Sequence, residues 1–443
     1  MTRIRFGWAL SATVSGGTCV AVALAAPPSA GAPSLGAKSV SNPASAPPAA
    51  AQSPETRPTN SKPAQAKGSL PGANLVTVTA ANPSAFARTR ETVVLLGSEL
   101  AKLVPSLEIK KALVVDAVGR PVVSQLVDMN GDDEPDELVF QVDLAAGQAK
   151  RFNLRLGERQ PLAAREYKVY ARFVRERHDD FAWENDLVAH RMYGPELETW
   201  AKDSLVSSGI DTWAKRTHEL VVNEWYMTDD YHRDNGQGAD FYGVGKSRGC
   251  GGLGIWANGK LYPSRNFVRS RVLANGPIRL VFELTYAPWE IPGGAHISET
   301  KRVVLDAGTA FNRFESTFSG GKGALAVAVG IAKHAGSALR VHAGSSSMSV
   351  WEPVKDAQGS VSGNLGCAVV LSAGAGLEAQ ASDLDYLAVT STDAAERIVY
   401  RAGSTWDRAG QVRDLDAWAK TVENVAAKAA APLQVQLAPL ATN

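Results

Sequence analysis

Apolar residues between positions 74 and 164 fall into short β-rich runs that turn residues separate. The runs cover 75–78, 91–96, 112–115, 137–142 and 151–156. Runs of this length, rich in Val, Leu, Phe and Thr and punctuated at close intervals, are typical of strands joined by tight turns. The pattern predicts a small antiparallel β-sandwich over residues 73–165.

The alternation becomes longer from residue 166 to the C-terminus. Apolar and polar residues alternate at 278–286 and 298–305, which places one face of each strand inward. The stretch 415–430 differs, because its apolar residues have helical spacing and Pro432 follows them. The prediction is a mainly β protein in which the small sandwich packs on a large antiparallel β-supersandwich (166–443) that carries a C-terminal helix.

The N-terminal 72 residues have a different composition from the rest. Arg3 and Arg5 precede an apolar stretch that ends in Ala23-Leu24-Ala25, as in a secretory signal, so residues 1–26 are predicted to be a signal peptide. A membrane anchor or lipid attachment at Cys19 is the minority alternative. Residues 27–72 are dominated by Ala, Pro and Ser and predict a disordered linker. We expect an exported protein, periplasmic or extracellular, without a stable membrane span after cleavage.

Charge and cysteine content narrow the functional classes. The 443 residues include 46 Lys and Arg against 45 Asp and Glu, which gives no electrostatic case for a nucleic-acid partner. Only Cys250 and Cys367 follow the signal, so a disulfide framework is not expected, while a single bridge between them stays open. The segment 243–248 lacks the spacing of a phosphate loop, and we expect no nucleotide partner.

An acidic segment between two predicted strands resembles a metal loop. Asp128, Asn130, Asp132 and Asp136 place oxygen-bearing side chains around Gly131, as calcium loops do. No Glu stands at the twelfth position of an EF-hand, and an Asp/Asn/Gly-rich hairpin turn without metal explains the same composition. A structural calcium is therefore one of two interpretations, and no cofactor is required.

The segment 175–195 combines acids, an amide and aromatic residues. Carboxylates and amides exchange hydrogen bonds with sugar hydroxyls, and an indole covers the C–H face of a sugar ring. This chemistry makes candidate substrate-binding residues of Trp183, Glu184, Asn185, Asp186 and Tyr193. The alternative is a buried ion-pair network at a sheet edge.

A second cluster lies in the glycine-rich segment 230–252, which predicts a loop. His232 is its only histidine and is the candidate general base, with Tyr231 and Tyr242 as further acid/base candidates if nearby cations lower their pKa. A structural histidine is the alternative. Asp234 and Asp240 are candidate substrate-binding residues, whereas Lys246, Arg248 and the earlier Arg191 are candidate catalytic cations.

These clusters, read with 132–141 and 274–279, resemble a secreted bacterial family catalogued as domain of unknown function 4861. The resemblance extends from about residue 74 to the C-terminus. Members of that family often lie beside genes for the breakdown of pectin and other uronate polysaccharides. The resemblance therefore implies a carbohydrate substrate. The second region also resembles the galactose-mutarotase-like supersandwich, in which sugar lyases and epimerases occur. Neither resemblance implies particular catalytic residues.

Three functions compete at this point. The leading hypothesis is an enzyme that processes uronate-containing oligosaccharide by β-elimination or isomerisation, with a cation neutralising the carboxylate, His232 or Tyr231 as the base and Tyr193 or Tyr242 as the acid. A glycoside hydrolase would instead use two carboxylates, drawn from Glu184, Asp186, Asp234 and Asp240. A non-catalytic glycan-binding protein is the third reading.

Overall fold

The fold comes from a computed structural model, which describes residues 74–202, 204–228 and 230–440. The predicted signal peptide (1–26) and linker (27–72) lie outside the described residues. All described residues belong to one compact unit. Among the helices described, none is long and apolar enough to span a membrane.

The first described segment forms a small sandwich, as the short apolar runs predict. Its elements are β1 (Asn74–Ala81), β2 (Arg88–Leu96), α1 (Gly97–Leu103), β3 (Ala112–Asp116), β4 (Pro121–Val122), β5 (Ser124–Val127), β6 (Glu137–Leu144) and β7 (Ala149–Leu156). The inward residues of these strands, such as Val78, Val93 and Phe140, form one apolar core between two sheets.

The middle segment forms a sheet of its own, separate from the two sheets of the small sandwich. It contains β8 (Val169–Val174), β9 (Asp180–Asn185), β10 (Ala189–Met192), β11 (Asp211–Lys215), α2 (Val222–Tyr226) and β12 (Gly238–Ala239). These strands lie in the order β12-β11-β10-β9-β8, so each strand hydrogen-bonds to its neighbour in sequence. The sheet is buried on both faces, and β9 and β11 carry no exposed residue.

The remaining elements complete the large region. They are β13 (Cys250–Ala257), β14 (Lys260–Tyr262), β15 (Arg269–Asn275), β16 (Arg279–Glu290), β17 (His296–Asp306), β18 (Phe311–Ser319), β19 (Ala326–Ala332), β20 (Ala338–His342), β21 (Ser347–Lys355), β22 (Val361–Leu371), β23 (Glu378–Ala381), β24 (Asp385–Ser391), β25 (Arg397–Trp406), α3 (Leu415–Ala430) and β26 (Gln434–Pro439). Single 3₁₀ turns lie at Ile109–Lys111, Ala164–Glu166, Arg175–Arg177, Pro195–Thr199, Ala343–Ser345 and Asp407–Ala409.

An eight-stranded antiparallel sheet is the centre of the large region. Its order is β15-β16-β17-β18-β25-β22-β21-β20, and a five-stranded sheet, β14-β13-β19-β24-β23, packs on part of one face. The β8–β12 sheet covers the β15–β17 end, and one continuous apolar core fills the space between the three sheets. The mainly β prediction is thereby confirmed. Val127 and Val139 of the small sandwich pack on Ile278 and Val281, which joins the two regions.

The C-terminal helix lies where its apolar spacing predicts. The Asp414 carboxylate caps the first turn by accepting a hydrogen bond from the Ala417 amide at 2.8 Å. Trp418, Val422 and Ala426 face the eight-stranded sheet and pack on Phe311 and on the outward-facing residues 368 and 370 of β22. The apolar face of α3 is therefore buried against the outer surface of that sheet.

Two details differ from the sequence expectations. The last strand, β26, pairs antiparallel with β1, so it extends the small sandwich although 166–443 was assigned to the large region. The glycine-rich segment is a loop only until residue 249, because Cys250 opens the buried strand β13. Cys250 and Cys367 are both buried as free thiols, and the Cys250 Sγ donates to the Gly403 carbonyl at 3.2 Å.

Candidate functional site

Four charged side chains form a row across one end of the β8–β12 sheet. Asp180 opens β9, Arg191 lies near the end of β10, Asp211 opens β11 and Asp240 follows β12. Antiparallel pairing places Arg191 directly opposite Asp211. The Arg191 guanidinium donates to Asp211 at 2.8 Å and to Asp240 at 2.8 Å, and reaches Asp180 at 3.4 Å. Three carboxyl groups therefore share one arginine.

This crowding changes the protonation of the carboxyl groups. Burial raises the pKa of Asp240 to about 8, and the neighbouring Asp211 adds to the shift while Arg191 opposes it. Burial likewise raises the pKa of Asp180 to about 6, against the attraction of Arg191. Burial and the neighbouring Asp211 thus outweigh the attraction of Arg191, which favours the protonated form of Asp240 at neutral pH. Its Oδ2 accepts from Arg191, so Oδ1, which only the Tyr242 amide contacts at 3.3 Å, is left for that proton.

His232 lies beside Asp240 at the edge of this row. Its Nδ1 donates to the Asp240 carbonyl oxygen at 3.0 Å and lies 3.7 Å from the carboxyl Oδ2. The side chain is 45% exposed, and Nε2 has no hydrogen-bond partner in the described part of the chain. Because Nδ1 faces an acceptor, the neutral ring has its lone pair on Nε2. The imidazole is thus oriented with a free base nitrogen.

The row opens into a cleft of about 430 Å³. His178 and Trp200 line one side with stacked rings 4.1 Å apart, and Phe241 lines another. Arg177, Lys355 and Asp356 add charges to the lining; Lys355 is the last residue of β21, and Asp356 follows it. The lining of the cleft also includes Arg191, Tyr193, His232, Asp240 and Tyr242. Aromatic faces, cations and a protonated carboxyl group therefore meet in one concave surface.

The backbone beside the cleft is strained. His178 and Asp179 both adopt the left-handed region, with φ of 53° and 66°. A side chain at Gly194 would place its Cβ 1.9 Å from the Asp179 carbonyl oxygen, so this close approach requires glycine. Consecutive non-glycine residues with positive φ are unfavourable and concentrate at functional sites. The His178 ring in this segment stacks on Trp200.

The family model described as "Domain of unknown function (DUF4861)" matches residues 80–435 of the sequence. The chain belongs to the DUF4861 family. A relative from Formosa agariphila, "Uncharacterized protein P7", is 32% identical over 331 residues, which cover 71% of this chain and 82% of the relative.

Two solved structures from Enterococcus faecalis are similar at low identity. One is a protein in the glycosyl hydrolase family 38, with a TM-score of 0.45, 11% identity and coverage of 83% of this chain. The other is an alpha-mannosidase, with a TM-score of 0.40, 10% identity and the same coverage. The chain spans about half the length of these structures, 48% and 46%.

Within this DUF4861 chain, the segment 183–186 is structural, which corrects its assignment to substrate binding. Trp183 is fully buried and donates to Asn312 at 2.8 Å. Glu184 accepts from Lys215 at 2.8 Å and from two backbone amides. Asn185 donates to two backbone carbonyls, and Asp186 accepts from Arg90 at 2.5 Å. The ion-pair network considered as the alternative describes this segment.

The cation assignments also change. Every Arg191 nitrogen is engaged by the acid row or by the Tyr231 hydroxyl, so Arg191 organises the carboxyl groups and is not free for a substrate. Arg248 is buried against Ser208 and Asp385, and Lys246 is exposed outside the cleft lining. Asp234 pairs with Arg216 and lines a neighbouring groove.

The tyrosine candidates are not activated as bases. Burial raises the pKa of Tyr231, although Arg191 and Arg177 oppose the shift. Burial also raises the pKa of Tyr193, whose hydroxyl donates to Asp211 at 3.0 Å. Tyr242 lines the cleft, yet its hydroxyl is buried, and burial together with Cys367 raises its pKa. The condition for Tyr231 and Tyr242 to act as bases, a pKa lowered by nearby cations, is not met, whereas the acid role of Tyr193 or Tyr242 stays a prediction.

The predicted calcium loop has the hydrogen bonds of a turn. The Asp128 carboxylate accepts the amides of Asn130, Gly131 and Asp133, and the Asn130 side chain accepts that of Asp132. Asp136 accepts the Met129 amide at 2.7 Å. The part of the chain that the structure describes contains no group of three or more His, Cys, Asp or Glu side chains placed to hold a metal ion. Calcium binding stays a prediction.

Sequence reasoning missed Asp180, Asp211, His178 and Trp200. Asp211 was identifiable only as a single acid before the short run Thr212-Trp213-Ala214, a pattern that many strands share. Trp200 follows a 3₁₀ turn and has no patterned neighbours. Their roles depend on which strands become neighbours, and no local signal carries that information.

Proposed function

We propose that this protein is an exported carbohydrate-active enzyme that processes uronate-containing oligosaccharide by acid/base catalysis, through β-elimination or isomerisation. One observation carries the proposal: a buried carboxyl group, Asp240, whose pKa burial raises, lies beside an imidazole, His232, whose Nε2 has no hydrogen-bond partner among the described residues and which lines the same cleft. Acid/base enzymes require one group that gives a proton and one that takes it, within reach of one substrate.

His232 is the proposed base and Asp240 the proposed acid. Hydrogen bonding of Nδ1 to the Asp240 carbonyl holds the ring and directs Nε2 away from the protein. The same residue supplies the carboxyl group, so the two groups keep a fixed separation. Arg191 is a positioning residue, because each nitrogen of its guanidinium is bonded within the protein and together they hold three carboxyl groups at the wall of the cleft.

The remaining lining supports an acidic sugar as the substrate class. Half-buried Trp200 and Phe241 offer faces on which the apolar side of a sugar ring can lie. Arg177 and Lys355 line the same cleft and bring the positive charge that neutralises a uronate carboxylate. Neutralisation matters because it stabilises the carbanion formed beside the carboxylate.

The elimination balances without a further reactant. Nε2 of His232 takes the proton on the carbon beside the carboxylate, and the electron pair of that C–H bond forms the new double bond. The bond between the adjacent carbon and the glycosidic oxygen breaks, and Asp240 gives its proton to that oxygen. In the isomerisation alternative, a proton returns to the same carbon from the opposite face. The hydrolase alternative loses support, because of its four candidate carboxylates only Asp240 lines the cleft.

The test is turnover of uronate oligosaccharides of differing sugar and linkage, followed by mass spectrometry and by ultraviolet absorbance of an unsaturated end. We expect an unsaturated product, or an epimer of unchanged mass, with the wild type. His232→Gln should lose roughly a hundredfold to ten-thousandfold in rate at an unchanged melting temperature. His296→Gln, an exposed histidine on β17, is the matched control and should keep full activity.

Saturated products that gain one water would instead establish hydrolysis. Binding without any turnover by the wild type would favour a non-catalytic glycan-binding protein. Normal turnover by His232→Gln would exclude His232 as the base.

A further inference from the structure

A second concave surface lies apart from the cleft. This basic groove, of about 430 Å³, is formed by β2 of the small sandwich, by β18 and β25 of the eight-stranded sheet, and by the end of α3. It shares no lining residue with the cleft. Phe311, Val425 and Leu433 give it apolar walls.

Cationic side chains dominate the lining of the basic groove. Among the described residues, five cations line it, against the two acids Glu91 and Asp306; the cations are Arg90, Arg279, Arg313, Arg401 and Lys428. Four of them have an acidic partner: Arg90 pairs with Asp186, Arg279 with Asp306, Arg313 with Glu315 and Lys428 with Glu91. Arg401 is the exception.

Arg401 has no hydrogen bond or ion pair within the ranges 74–202, 204–228 and 230–440. It is half-buried and lies directly opposite Arg313 in the β18–β25 register. Burial and the charge of Arg313 lower the pKa of Arg401, and the charge of Glu91 only partly opposes them. Like charges directly opposite across a strand pair are destabilising, and a half-buried guanidinium without an acceptor adds to this. The fold therefore keeps the Arg401 guanidinium beside a second arginine without a hydrogen-bond acceptor of its own.

We propose that the basic groove binds a carboxylate group of an acidic saccharide, with Arg401 and Arg313 as its principal contacts. A guanidinium presents a planar fork that matches the two oxygens of a carboxylate. The groove is far larger than a single ion, since a water molecule occupies roughly 30 Å³. Its apolar walls suit the sugar to which the carboxylate is attached. The saccharide identity rests on the proposed function, whereas the anion site rests on the arginines alone.

The test is calorimetric titration of the full chain with a tetrameric oligogalacturonate, a neutral oligosaccharide of the same length, and inorganic sulfate. The variants are Arg401→Gln and, as the matched control, Arg269→Gln, which removes an exposed arginine from β15 of the same sheet. We expect the acidic oligosaccharide to occupy a site that Arg401→Gln weakens at least tenfold and Arg269→Gln leaves intact. Without ligand, Arg401→Gln should melt at the same or a higher temperature, because repulsion with Arg313 is gone.

The outcomes separate this site from the cleft. Arg401→Gln should turn over a disaccharide at the wild-type rate. If the wild type shows no turnover at all, Arg401→Gln should still bind the acidic oligosaccharide more weakly than the wild type does. Equal affinity of Arg401→Gln and Arg269→Gln for the acidic oligosaccharide would overturn the proposal, and so would equal binding of the neutral one. If sulfate binds as tightly as the oligosaccharide, the proposal that the groove binds a saccharide is overturned, and the groove is a site for free anions. If Arg401→Gln does not fold, Arg313→Gln replaces it with the same expected outcomes.

Discussion

The substitution Asp240→Asn tests the acid row most directly. The amide has the shape of a neutral carboxyl group and can still accept from Arg191, but it neither ionises nor serves as a general acid. We expect a loss of roughly a hundredfold to ten-thousandfold in turnover of a uronate oligosaccharide. The wild type should lose activity as pH rises through about 8, because Asp240 then releases its proton.

The same substitution changes how stability depends on pH. The folded pKa of Asp240, about 8, lies above its ordinary value of 3.8, so the folded state keeps a proton that the unfolded state releases between these values. The stabilisation is therefore complete below pH 3.8 and declines as pH rises toward 8. The slope is up to ~1.4 kcal/mol per pH unit. From pH 5 to pH 8, the wild type should thus lose about 4 kcal/mol relative to Asp240→Asn.

Chemical denaturation at pH 5, 6, 7 and 8, with turnover measured in parallel, provides the assay. Asp234→Asn is the matched control: hydrogen bonds from Arg216 and two backbone amides outweigh burial and lower the pKa of Asp234, so this carboxyl group is ionised in both states across the range. Its stability slope should equal that of the wild type. Parallel slopes for the wild type and Asp240→Asn would refute the raised pKa and, with it, the assignment of Asp240 as the acid.

Three further predictions follow from the contacts. Trp183→Ala should cost about 3–5 kcal/mol of stability, measured by denaturation, because it empties a fully buried site; an unchanged stability with lost sugar binding would restore the substrate-binding reading. Trp200→Ala should weaken oligosaccharide binding by roughly tenfold at little cost in melting temperature, and titration that shows equal affinity would remove it from the cleft's binding surface. For the predicted calcium loop, a bound ion should make the wild type melt higher with calcium than with chelator, and Asp132→Ala should abolish that difference; identical melting of the wild type in both conditions would leave only the turn.

Local pattern determined most of the architecture. The period-two runs predict strands because successive side chains point to opposite faces, and the helical spacing at 415–430 predicts α3 because residues three and four apart share a face. The composition around a tryptophan, by contrast, does not show whether its side chain is buried in a strand or lines a cleft. Both Trp183 and Trp200 lie in acidic segments, yet Trp183 is in the fully buried strand β9 and Trp200 in a loop.

Tertiary structure alone decided the site. His232, Tyr242, Arg191, Tyr193 and Asp240 were predicted and do share the cleft, whereas Asp180 and Asp211 join them only because β9, β10 and β11 are adjacent strands. The inward face of β17 shows the same limit, since alternation places Glu299 and Lys301 inside, where they pair at 2.6 Å. Sequence period fixes which residues share a face, but which face is buried, and which charges meet there, depends on long-range pairing. Burial then sets the pKa of Asp240, a property that its own neighbours in sequence do not encode.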